Sequence, residues 1–139
     1  GVDLSAGMLA RARQKGCYDE LIKAELTAWL QTQHQAWDAV ICADTLCYFG
    51  DLHAVLRAAA GALRPGGPLV FTVESLPEAQ STEVRIHPSG RYAHGQAHVE
   101  VALAAAGLVL QALNPLALRE ECGLPVHGWV VAAVLPGPG

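Results

Sequence analysis

Three acidic residues stand where apolar runs end. Asp3 follows Gly1-Val2, Glu25 follows Leu21-Ile22-Lys23-Ala24, and Asp44 follows Ala39-Val40-Ile41-Cys42-Ala43. In an open α/β sheet, ligands bind at the carboxyl ends of the strands. A carboxylate there has two oxygens and four lone pairs, so it can accept from both hydroxyls of a ribose at once. Strand-to-helix turns also favour acids as caps, and for any one residue that account is as good as binding. Three acids at successive strand ends favour a site.

A second group of chemically able residues lies later in the chain. Residues 74–95 are polar, rich in Pro, Ser, Gly, His and Tyr, and read as one long loop. Loops of that length in compact domains are often functional. His87, Tyr92, His94 and the nearby His98 offer bases, since imidazole titrates near neutrality. Exposure of a polar loop explains any single histidine equally well. Tyr92 with His94 is the best candidate pair for the acceptor side of a reaction. His94-x-x-x-His98 has metal-ligand spacing only on a helix, and no third ligand is visible, so no metal is expected. Tyr48 and Phe49 can flank a pocket or pack on the following helix. Trp29, Trp37 and Trp129 are expected to pack, and Glu120-Glu121 to be a solvated hairpin end.

The elements that would carry these groups follow from periodicity. Ser5 can cap a helix from about Ala6 to Gln14, closed by Gly16. Residues 21–24 read as a short strand and 28–33 as one or two helical turns. Ala39 to Ala43 is continuously apolar, as in a parallel strand covered on both faces. Asp51 can cap a helix over 52–63, with Leu52, Val55, Leu56, Ala59 and Leu63 on one face. Arg64-Pro65-Gly66-Gly67-Pro68 stops it. Leu69 to Val73 is another strand, and Gln96 to Ala106 a helix ended by Gly107. Residues 108–118 and 129–135 suggest a closing antiparallel hairpin around Gly123-Leu124-Pro125. The tail Pro136-Gly137-Pro138-Gly139 is expected to fray.

Composition bounds the class. With 139 residues, the chain makes one domain, expected over 1–139. Hydrophobic residues make up 52% and charged residues 16%, which excludes a disordered chain. No apolar run reaches the roughly 18 residues of a membrane span. A net charge of −4 with nine Lys and Arg lacks the basic stripe that nucleic acid asks for. The four cysteines form no C-x-x-C and read as small core residues in a reducing cytoplasm. The opening residues lack a basic-then-apolar secretory signal, so the expected compartment is cytoplasmic.

Gly1-Val2-Asp3-Leu4-Ser5 with Met8-Leu9-Ala10-Arg11-Ala12-Arg13 resembles the second strand and helix of class I S-adenosylmethionine-dependent methyltransferases. The likeness continues through Ala24-Glu25-Leu26, Trp37-Asp38-Ala39-Val40 and Leu63-Arg64-Pro65-Gly66-Gly67. Ser89-Gly90-Arg91-Tyr92-Ala93-His94 is similar to a subgroup that sometimes carries tetratricopeptide repeats. The resemblance implies a Rossmann-like α/β fold: a mostly parallel sheet of order 3-2-1-4-5-7-6 with a C-terminal antiparallel hairpin. It implies S-adenosylmethionine as cofactor. Asp3 would bind the ribose and Leu4 and Met8 would line the nucleoside. Glu25, more often Asp in the family, and the Leu26 backbone would meet the adenine. Ala43 and Asp44 would face the methionine end and an acceptor, a small molecule not identified by the sequence.

The family's first strand and its G-x-G-x-G loop have no match, so the domain is expected to be N-terminally truncated. Gly66-Gly67 cannot replace that loop, because it follows a helix. Each unpaired buried backbone group costs roughly 1–3 kcal/mol, so the two flanking strands need a remedy. An upstream segment, direct pairing of the two strands, or a homodimer covering the gap would each supply one. Two other functions stay open at this point: a nicotinamide (NAD(P))-dependent oxidoreductase, and a non-catalytic fragment or interaction module. A closing hairpin favours the methyltransferase over the oxidoreductase.

Overall fold

The structure, a computed structural model, describes residues 1–137; Pro138 and Gly139, part of the tail expected to fray, lie outside the described residues. Strand β1 (Val2–Asp3) and strand β2 (Ile22–Lys23) pair in parallel, Val2 opposite Ile22 and Asp3 opposite Lys23. Helix α1 (Ala6–Lys15) connects them. The Ser5 hydroxyl accepts from the Met8 N–H at 3.2 Å, and Gly16 closes the helix in the left-handed region at φ 69°. Helix α2 (Leu26–Gln31) is capped by Glu25, whose carboxylate accepts from the Ala28 N–H at 2.9 Å.

Strand β3 (Val40–Cys42) runs parallel to β4 (Pro68–Ser75), with α3 (His53–Ala62) between them. The predicted stripe of Leu52, Val55, Leu56, Ala59 and Leu63 is buried on and beside α3, and Ala58, Ala60 and Ala62 are buried with it. Leu52, rather than Asp51, occupies the cap position, but Asp51 still accepts from the His53 N–H at 2.8 Å. On the other edge of β4 lies β8 (Leu124–Val134), antiparallel, and beyond it β7 (Val109–Glu121), also antiparallel. The sheet is therefore mixed, parallel at the front and antiparallel at the back. The spatial orders β2-β1 and β3-β4-β8-β7 reproduce 3-2-1-4-5-7-6 with nothing in place of strand 1 among the described residues. Leu52, Leu56, Phe71, Val99, Leu103 and Val131, each at most 2% exposed, form the core between the sheet and α3 with α4 (Gln96–Ala105). Burying one such side chain stabilises by about 1.5–3 kcal/mol. Among the described residues no helix is long and apolar enough to cross a membrane.

Four further expectations change. Residues 74–95 are not one loop: they hold the end of β4 and a hairpin of β5 (Val84–Ile86) and β6 (Tyr92–His94), turned at Gly90 with φ 86°. Glu74 faces Gly128 of β8 on one side and Ala93 of β6 on the other. So β6 continues the β4 edge that β3 leaves at Phe71. The closing hairpin turns at Cys122-Gly123, with φ of 51° and 77°, and Pro125 lies inside β8. Only Cys42 and Cys47 are buried; Cys17 after α1 and Cys122 in the turn are exposed. Ile41, expected to be covered, is 75% exposed.

The last point has a clear cause. Strands β1 and β3 do not pair with each other, so direct closure of the gap is not what this chain does. A cleft of about 210 Å³ separates them, lined by Gly1, Val2, Trp29, Val40 and Ile41 among others.

Candidate functional site

The first group of candidate residues stands at the end of β1. Asp3 is half-buried, and its Oδ1 accepts from the Ser5 N–H at 2.8 Å. That bond fixes the carboxylate at the mouth of a cleft of about 450 Å³ shared with Met8, Leu9 and Ala12. Its second oxygen has no partner among the described residues. Leu4 (64%), Met8 (53%) and Tyr48 (59%) are exposed apolar side chains. Glu25 is exposed, with one oxygen committed to capping α2 and the other open. Leu26 lines the gap cleft instead of the Asp3 cleft. The cofactor-side residues thus lie on adjoining surfaces and do not line one closed pocket.

Ala43 and Asp44 leave β3 at its carboxyl end, both exposed. Asp44 sits in the left-handed region at φ 49°, its N–H donating to the Thr72 hydroxyl at 3.0 Å. A non-glycine residue persists there when its surroundings hold it, a pattern that clusters at functional sites. What holds Asp44 is Arg119, whose guanidinium donates to Asp44 Oδ1 at 3.2 Å, Glu74 Oε2 at 2.9 Å and Glu121 Oε1 at 3.0 Å. Arg91 donates to the same Glu121 oxygen and lies 5.9 Å from the Tyr48 ring centre. A bulge between Ala117 and Arg119 in β7 re-aims the strand at this point. Burial pulls the Arg119 guanidinium down, but its bonds to Glu121 and Glu74 outweigh that and hold it above the ordinary arginine range. The bond from Arg119 in turn holds the Glu121 carboxyl below its usual range.

Sequence reasoning missed Glu74, Arg91 and Arg119, and took Glu121 for a solvated end. Glu74 was within reach: it directly follows the apolar run 69–73, but it was counted with the loop when it lies inside β4. No local signal marks Arg119, which is brought to Asp44 across 75 positions of sequence.

Tyr92 and His94 are placed differently from each other. The Tyr92 ring rests on Gly50, where an added Cβ would lie 3.2 Å from Cε1. His94 is fully buried, so it has no open face toward an acceptor. Its Nε2 lies 2.9 and 2.8 Å from the carbonyl oxygens of Phe49 and Gly50, so that nitrogen carries the proton and donates. Nδ1 is then a lone pair in the interior with no partner among the described residues. Burial keeps the ring below the usual histidine range, hence neutral. His94 positions the 46–50 segment beside the site. His98 is half-buried, its Nε2 accepting from the Leu52 N–H at 3.3 Å, and burial lowers it likewise. His94 and His98 do not share a helix, since α4 begins at Gln96.

The profile of a family described as a methyltransferase domain matches residues 1–71. This chain belongs to that family. Its fold is also that of solved methyltransferases at low sequence identity. An S-adenosylmethionine-dependent methyltransferase of Methanosarcina mazei matches at TM-score 0.73 and 13% identity, over 99% of this chain and 82% of that one. One of Mesorhizobium loti matches at 0.67 and 22%, over 96% and 78%. The 1,6-didemethyltoxoflavin-N1-methyltransferase of Burkholderia thailandensis, with S-adenosylhomocysteine bound, matches at 0.72 and 15%, over 97% of this chain and 60% of that one. No curated protein sequence matches the chain. S-adenosylmethionine, which the resemblance implied, is the cofactor these relatives point to. The nucleoside half fits the residues present: an open carboxylate oxygen on Asp3 beside uncovered Leu4 and Met8. For the methionine half, Ala43 and Asp44 stand at the end of β3, and no glycine-rich loop accompanies them among the described residues.

Proposed function

We propose that this protein binds S-adenosylmethionine at the carboxyl ends of β1 and β3 and directs its methyl group to a small-molecule acceptor. One observation carries the reading: Asp3 is anchored through one oxygen and open through the other, next to exposed Leu4 and Met8. Asp3 would hold the ribose hydroxyls and Leu4 and Met8 the nucleoside. Glu25 and the Leu26 N–H would meet the adenine, and Ala43 the methionine end. When bound, the cofactor supplies an activated methyl on a sulfonium centre. The protein's part is to align the acceptor and exclude water. Tyr48, Tyr92 and the Asp44–Arg119–Glu74 group form the acceptor wall. Its carboxylates suit an acceptor presenting N–H or O–H, and the exposed Asp44 is placed to take a proton that leaves. The Burkholderia relative is named for methyl transfer to 1,6-didemethyltoxoflavin, which supports a small-molecule acceptor.

Calorimetry tests the reading. S-adenosylhomocysteine should bind the protein, and Asp3→Ala should weaken it about 10–100-fold through loss of charged hydrogen bonds to the ribose. Heat with NADH instead would support the oxidoreductase reading. A folded protein that binds neither would support the third, a non-catalytic module. That third reading rests on the unpaired facing edges of β1 and β3. A second copy covering that gap is the partner we propose for it; a strictly monomeric sedimentation profile would remove this part. Four free cysteines fit a reducing, cytoplasmic setting.

A further inference from the structure

The β3–α3 connection meets α4 at a cluster that the methyl-transfer reading does not use. Asp51, His53 and His98 each offer one ligand atom, and these atoms lie within 4.8 Å of one another. Asp51 Oδ1 is 2.5 Å from His53 Nδ1 and 3.9 Å from His98 Nε2. We propose that this cluster is a binding site for one zinc-class divalent ion.

The donor set decides the class of ion. Two imidazoles and one carboxylate suit zinc, cobalt or nickel, whereas magnesium and calcium prefer all-oxygen shells. In a tetrahedral site with bonds of about 2.0–2.1 Å, neighbouring ligand atoms stand about 3.3 Å apart. The 2.5 Å pair must open and the 3.9 Å pair must close, each by less than about 1 Å, and the two imidazole nitrogens, within 4.8 Å of each other, must come to the same spacing. Side-chain rotation of the exposed Asp51 and the half-buried His53 supplies that much.

The His98 nitrogen is already prepared. Because Nε2 accepts from the Leu52 N–H, it carries a lone pair and the proton sits on Nδ1. The bond is long, 3.3 Å, so an ion displaces a weak partner. The ring is fixed from both sides, stacked on His94 at 5.8 Å and edge-on to His53 at 5.6 Å. The positive end of α3 opposes a cation, and the Asp51 carboxylate offsets it. With water completing the shell, the ion would clip residues 51–53 to α4. The 46–50 segment, held by His94 and bearing Tyr48, would be stiffened with it.

This inference is independent of the cofactor assignment, and its test uses no cofactor. Chelator-treated protein is titrated with zinc chloride by calorimetry and with cobalt chloride by visible absorption. One ion per chain is expected, with the intense bands of four-coordinate cobalt, and zinc should raise the melting temperature. His53→Gln and Asp51→Asn, both at accessible positions, should weaken zinc about 100-fold or more and abolish the thermal shift. His34→Gln and His127→Gln should leave binding unchanged. Absence of stoichiometric zinc binding by the unaltered protein overturns the proposal, as does binding that survives His53→Gln and Asp51→Asn. Binding lost instead in Cys17→Ser/Cys122→Ser also overturns it, since the ligands would then be thiolates.

Discussion

Arg119 of β7 and Glu74 of β4 meet at 2.9 Å, with their side chains 19% and 9% exposed. Their partnership joins the two halves of the sheet at the carboxyl ends of β3 and β4. Glu74 ends the strand that β3 and β8 flank, and Arg119 reaches from the outermost strand to touch both Glu74 and Asp44. An acid at that depth is tolerable only with a cation and hydrogen bonds to match. The carboxyl ends of β3 and β4 are therefore organised from the closing hairpin.

Arg119→Met should destabilise the protein by about 2–4 kcal/mol, because it leaves Glu74 buried without its cation. Urea denaturation measures this. Glu74→Leu in the same chain should recover much of the loss, since the apolar pair no longer strands a charge. A double variant as unstable as Arg119→Met alone would mean that Glu74 is not the group left uncompensated.

His94 ties the 46–50 segment to the sheet, so its removal should loosen that segment. His94→Phe keeps a ring but leaves two carbonyl oxygens without a donor, and should cost about 2–3 kcal/mol. Limited proteolysis should then cut faster between residues 45 and 51. Unchanged proteolysis with lost turnover would instead restore His94 to a direct part in the chemistry.

The helices and the hairpin were legible because their signals are local. Ser5, Gly16 and Gly107 punctuate helices wherever they stand, and the α3 stripe from Leu52 to Leu63 has one period throughout. The β5–β6 hairpin was not legible: three-residue strands such as Val84-Arg85-Ile86 exist through their partners and carry too short a pattern. Of the candidate site, the positions of Asp3 and Asp44 at the ends of β1 and β3 could be read, because an apolar run and its end are local signals. Arg119 could not, because its role depends on a bulge and on a register set by pairing with β8. Ile41 deceived for a related reason: an apolar run reports what a strand would have covered, not which neighbour is there.

Two glycines should respond oppositely to alanine. At Gly95, between β6 and α4, a Cβ would lie 2.0 Å from the Ser81 carbonyl oxygen, so the backbone must move. Gly95→Ala should destabilise by about 1–3 kcal/mol. At the exposed Gly61 in α3 a Cβ meets nothing within 4 Å. Gly61→Ala should stabilise by about 0.5–1 kcal/mol, by restricting the unfolded chain. Thermal melts of the two variants check both signs, and equal shifts would contradict the packing at Gly95.

Cysteine chemistry should divide the chain by burial. Cys42, on β3, is pushed from 9.0 up to about 11 because the interior disfavours its thiolate. Burial also raises Cys47, helped by the nearby Glu74 charge. The thiolate is the reacting species, so iodoacetamide at pH 8 should label Cys17 and Cys122 alone in the native protein and all four cysteines in urea. Mass spectrometry counts the labels. The same shift sets an alkaline limit. The unfolded chain loses the Cys42 proton first, so stability is intact below pH 9 and declines as pH rises toward about 11. A rise of about two units corresponds to roughly 3 kcal/mol at the top of that window. Cys42→Ala lacks the titration and should flatten the decline, at a cost in packing that is the same at every pH. A Cys42→Ala curve parallel to that of the unaltered protein would show that the alkaline loss comes from another group.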